Sequence, residues 1–149
     1  MNSRESIYAA LFAKGAACVG FKSSGRRLRH IDDLSPSEFP VFYQVQVQEQ
    51  WVHPNGGAGN LPPIGVLNVE WWVYVENSDG ITSHSAQLNP LVDALLASIG
   101  LPPAVTRFGK QNLGGIVESV QLSGAIQFAE GAIANRGFAR IPLVIKTPG

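Results

Sequence analysis

The chain has 149 residues, 45% hydrophobic and only 15% charged, and its 11 Lys+Arg balance its 11 Asp+Glu. This excludes a disordered tail, which needs low hydrophobicity and high net charge, and a dedicated nucleic-acid binder, whose affinity comes from a basic excess. The length suits one domain, residues 1–149, with a real core, and the sparse charge leaves neutral surface that is better covered by other subunits than left in water.

In chain order, Ser3 is the expected N-cap of a first helix, with Glu5 in its first turn and Ile7, Leu11 and Phe12 at helical spacing; Gly20 lies past its end. Arg26-Arg27-Leu28-Arg29-His30-Ile31, followed by Asp32-Asp33, is the densest charge. It admits two readings: a patch for phosphate or an acidic partner, or a solvated edge strand whose charges block unwanted pairing. Pro36 to Pro40 is a turn. Beyond it Val41, Tyr43, Val45 and Val47 alternate with Phe42, Gln44, Gln46, Gln48 and Gln50, which predicts a strand with one apolar and one polar face. The polar face is expected to be either a tolerant solvent face or a contact face, since each amide both donates and accepts.

The Gly/Pro-rich loop His53–Pro63 joins this strand to a second, Val66 to Glu76, whose apolar face is Leu67, Val69, Trp71, Val73 and Val75. Together they predict a long antiparallel hairpin, with Trp72 on its polar side and Trp51 near the end of the first strand. A second helix is expected over Leu88 to Ile99, capped by Gln87 or Asn89, with Pro90 in its first turn and Gly100 at its stop. A third strand is read from Ile116 to about Phe128, with Ile116, Val120, Leu122, Ile126 and Phe128 on one face. A turn follows from Glu130 to Gly137. The last strand, Phe138 to Thr147, points Ile141, Leu143 and Ile145 inward. The fold class is α+β: a mostly antiparallel sheet with two helices on one face.

Chemistry is sparse. His30, His53 and His84 have no ligand neighbours at metal-binding spacing. Cys18, the single cysteine, lies in an apolar stretch and reads as a structural thiol. No nucleophile motif is present, so no catalytic, metal or cofactor residue is assigned and the chain is expected not to be an enzyme. Glu70 and Glu118 are the one carboxylate pair worth weighing, Glu118 because parity puts it on the apolar side of its strand. Trp51 and Trp72 suggest a sugar platform or interface anchors. No apolar run approaches a membrane span, and the N-terminus lacks signal-peptide character, so folding in a reducing cytoplasm is expected.

The whole-chain pattern resembles the tail terminator (minor tail protein U-like, tail-completion) family of long-tailed bacteriophages. The resemblance rests on the opening helix Ile7–Cys18 and on Phe21…Arg26-Arg27-Leu28 running through Phe39-Pro40-Val41-Phe42 into the glutamine-studded strand. It continues through Trp71-Trp72-Val73-Tyr74-Val75, Leu88-Asn89-Pro90-Leu91-Val92-Asp93-Ala94-Leu95 and Gln111-Asn112-Leu113-Gly114-Gly115-Ile116-Val117 to the final strands. None of these motifs is catalytic, and their order and spacing carry the resemblance. The loop His53–Pro63 departs from it.

The resemblance implies a virion protein of the head-proximal tail end. It would form a homo-hexameric ring on the tail tube protein, end tail polymerisation and offer a surface to a head-completion or neck protein. DNA would pass through the lumen without specific binding. A neck or head–tail connector of related fold, or a small carbohydrate-binding module, are the alternatives. The expected subunit or partner contacts are Arg26, Arg27 and Arg29, together with Phe42, Gln44, Gln46, Gln48 and Gln50 and the tryptophans Trp51 and Trp72.

Overall fold

The computed structural model describes residues 3–53, 63–78, 82–101, 112–133 and 135–148. Helix α1 spans Arg4–Ala16, strand β1 Ser23–Gly25, β2 Val41–Val52, β3 Ile64–Glu76, helix α2 His84–Ser98, β4 Ser119–Leu122, β5 Gln127–Ile133 and β6 Arg136–Pro148. The sheet runs β1-β2-β3-β6-β4, with β5 also paired to β6. The β2–β3 hairpin and its β6 neighbour are antiparallel; β1 alone pairs in parallel, Ser23–Gly25 against Val41–Tyr43. The fold is α+β, as expected. Most of the loop His53–Pro63 (residues 54–62) lies outside the described residues, as does Gln111.

Both helices pack on one face of the sheet, here the inner face. Ile7, Tyr8 and Leu11 of α1 and Leu88, Val92, Leu95 and Leu96 of α2 meet Leu67, Val69, Trp71, Val73 and Val75 of β3 and Ala139, Ile141, Leu143 and Ile145 of β6. The apolar parity of β3 and β6 is the one the sequence predicts. Ser3 caps α1, its Oγ accepting from Ser6 N at 3.1 Å. Helix α1 ends at Ala16, before the Ile7–Cys18 limit taken from the sequence, and Gly20 follows with φ +115°. Gly15 sits so close to Phe42 that a Cβ there would overlap the ring.

Helix α2 begins four residues earlier than expected, capped by Ser83 rather than Gln87 or Asn89. Pro90 therefore lies in its interior. The carbonyl four residues back belongs to Ala86, and both residues are exposed, so water can serve the carbonyl that proline leaves without a donor.

Three strand expectations are corrected. The arginine run is not an edge strand: β1 ends at Gly25 and Arg26 opens a bend. The single strand from Ile116 to Phe128 is two, broken at residues 123–126, where Gly124 takes φ +144°. Its expected core face fails in part, since Phe128 is exposed while Val117 and Ser119 are buried. The expected turn at Glu130 is strand β5, which continues to Ile133.

The largest correction is in β2. Phe42 and Gln44 face the helices and are buried, while Val41 and Tyr43 face outward into a second, smaller core. Between Gln46 and Gln48 the register shifts: Gln46 opposes Val69, yet Gln48 opposes Asn68. Val47 is thus an extra residue, and a bulge of this kind swaps the faces of everything beyond it. Gln46 lies on the inner side, and Gln48 and Gln50 on the outer side. The four glutamines do not form one face.

Candidate subunit-contact surfaces

The outer face of the sheet has two halves. In one, Val41, Tyr43 and Tyr74 lie under residues 31–39, which cross the sheet as two short 3-10 turns and bury Ile31, Leu34 and Phe39. Arg136 holds this strap. Its guanidinium donates to Ile31 O and, at 2.9 Å, to Leu34 O; it pairs with Glu76 at 2.8 Å and lies 4.7 Å above the Phe39 ring. At the strap's margin Leu28, Arg29, His30, Ile31, Trp72, Tyr74 and Phe138 line an apolar groove of about 320 Å³. Trp72 leans on Phe138 with ring centroids 5.4 Å apart, and burial pushes the Tyr74 phenol up to about 12. The Tyr74 hydroxyl donates to Arg29 O at 3.1 Å.

The other half carries Gln48, Gln50 and Val52 of β2, Ile64, Val66, Asn68 and Glu70 of β3, and Arg140, Pro142, Val144 and Lys146 of β6. Its carboxylate is matched internally: Glu70 pairs with Arg140 at 3.2 Å and accepts from Trp72 Nε1 at 3.2 Å. Apart from the exposed Lys146, the remainder is amide, proline and aliphatic, a composition that suits a contact.

The residues expected at contacts are scattered by the fold. Arg26 turns toward α1, pairing with Glu5 and donating to Gln46 Oε1 at 3.2 Å. Arg29 pairs with Glu38 at 2.8 Å and donates to Asp33 O at 2.9 Å. Thus acids of the same chain relieve the repulsion within the run. Arg27 is exposed and, among the described residues, makes no ion pair.

Phe42 is fully buried, stacked on Phe12 at 5.7 Å and edge-on to Trp71 at 5.2 Å. Gln44 is buried between α1 and β3, donating to Tyr8 O and accepting from Trp71 Nε1, both at 2.9 Å. Neither can form part of a contact surface. Gln48, Gln50 and Trp51 are exposed and Trp72 is half-buried, but Trp51 lies on the inner face beside Gly65 and Trp72 on the outer face. They cannot form one sugar platform.

Glu118 is exposed and precedes β4. Its N–H donates to Lys146 O, four residues along β6 from the Pro142 that opposes Glu70. At ~3.3 Å per residue the two carboxylates stand on the order of 13 Å apart along the sheet, too far for shared acid–base work. Cys18 is half-buried with its thiol pKa pushed up by burial. Among the described residues, no group of three His, Cys, Asp or Glu could hold a metal, and no helix is long and apolar enough to cross a membrane.

The sequence reading missed Leu28, His30, Tyr74 and Phe138. Their signal was present in Trp72, Tyr74 and Phe138, whose parity is opposite to the β3 and β6 core positions. Aromatics at that parity need a cover.

Acid is expected to weaken the fold through the local ion pairs. Arg4 holds the Glu49 carboxyl below its ordinary 4.5, assisted by the Tyr8 hydroxyl, and Arg26 lowers Glu5. Glu38 is lowered first by the Ser35 N–H and then by Arg29. These groups bind protons more readily when unfolded. Their stabilisation is complete above about pH 4.5 and is lost as pH falls through the depressed folded values. Urea midpoints should decline below that pH, and Glu49→Gln should flatten the decline.

No protein-family model matches the chain, and no curated protein matches it.

Proposed function

We propose that the chain is a structural virion subunit of the tail-terminator type. In this reading it forms a hexameric ring on the tail tube, ends tube growth and presents a surface to the head-completion or neck protein, while DNA passes through its lumen. The observation that carries this reading is the sparsely charged half of the outer sheet face, where Gln48, Gln50, Val66, Asn68 and Val144 sit beside a self-neutralised Glu70–Arg140 pair, with Lys146 as its further charge. A subunit that must meet like neighbours as well as two other assemblies needs several such surfaces, and unlike surfaces repeated by rotation close a ring. Balanced charge suits a lumen that must release DNA rather than hold it.

The test is a phage in which this gene is silenced. Tails should overgrow their normal length and heads should remain unjoined in negative-stain images, with both defects reversed by the wild-type gene. Tails of normal length joined to heads would overturn the reading.

A further inference from the structure

The two margins of the sheet are unlike, and among the described residues each has a stretch paired on one side only. On one side β1 covers only Val41–Tyr43 of β2. Past the bulge, residues 48–52 have β3 on one side and, among the described residues, no backbone partner on the other. On the far side β4 pairs with β6 and, among the described residues, with no second strand. Exposed margins are ordinarily guarded by lysine, proline or a covering segment, and neither stretch contains a lysine or proline. The one charge, Glu49, is turned inward and occupied by Arg4 and Tyr8.

We propose that copies of this chain join edge to edge, residues 48–52 of one copy pairing with Ser119–Leu122 of the next, so that the sheet runs on through the assembly. The stretches match in length, on the order of 17 and 13 Å. They also match in side chains. Gln48 and Gln50 lie on the outer face, as does Gln121, so amide meets amide; Trp51, 37% exposed, lies on the inner face, as does the half-buried Leu122. Aromatic–aliphatic and amide pairs are favourable cross-strand neighbours. The incoming strand continues the lane that β1 begins, and the bulge at Val47 separates the two. The contact is heterologous, so it repeats head to tail. This inference rests on the ring reading and names the surface that makes the ring.

The experiment uses the full chain with Cys18→Ser, adding Gln121→Cys together with either Gln48→Cys or Gln50→Cys, since the register brings one of the two opposite residue 121. Mild oxidation should give a ladder of covalent multimers ending at a closed hexamer, lost in either single-cysteine variant. The same samples are imaged. Rings without a ladder from either pair would overturn the edge contact and leave the ring reading standing. A ladder with open filaments would support the edge contact and overturn the closed ring. Dimers from Gln50→Cys alone, or monomers throughout, would overturn the edge contact.

Discussion

Alanine at Gln44 is expected to destabilise the fold by about 2–4 kcal/mol, while alanine at Gln46, Gln48 or Gln50 should change stability by no more than about 0.5 kcal/mol. Gln44 is 1% exposed and is the only one of the four buried. Its amide ties the α1 backbone at Tyr8 O to the Trp71 indole, so truncation leaves a buried N–H without its acceptor and a cavity beside the largest core side chain. With a urea m-value of ~2 kcal/mol/M, the midpoint should fall by about 1–2 M. Gln44→Met separates the two contributions: it keeps the volume and loses the hydrogen bonds, so it should retain part of the stability. Equal midpoints for all four alanine variants would refute the buried placement.

Those glutamines also show what the sequence could and could not reveal. The β3 and β6 core faces were legible because alternation there is unbroken from Leu67 to Val75 and from Ala139 to Ile145. In β2 two features defeated alternation. Both faces of its first half are covered, by α1 on one side and the strap on the other, so Val41, Phe42, Tyr43 and Gln44 are all buried. The Val47 bulge then reverses parity, and no residue type marks it. The helices were legible by spacing, but the start of α2 was not: Pro90 pointed to a first turn, whereas Ser83 is the cap.

The arginine run was visible as charge, but the partners of Arg26 and Arg29 come from α1 and the strap, 21 and 9 residues away, and pairing at such distances leaves no local pattern. The groove by Trp72 was half legible. The outward aromatics could be read from parity, but the strap that walls them in is irregular chain without a period.

Arg136→Ala should produce the second large effect, a loss of about 2–4 kcal/mol, because the guanidinium ties to β6 the strap, which no strand pairing connects to it. Its side chain is 14% exposed, and its donors reach Glu76, Ile31 O and Leu34 O together. Removal would leave the Glu76 carboxylate without this partner and the two strap carbonyls short of a donor. It would also strip the cation from the Phe39 ring. Arg136→Lys keeps the charge but lacks the planar fork, so it should satisfy one partner and recover only part of the loss. Because the strap is held by side chains, its release is expected to precede global unfolding. Trypsin should then cut the alanine variant at Arg27 or Arg29 well before the core opens, and the bared Val41, Tyr43 and Tyr74 surface should bind an apolar dye. A variant with unchanged urea midpoint and unchanged cleavage at those arginines would show that apolar packing of Ile31, Leu34 and Phe39 holds the strap without Arg136.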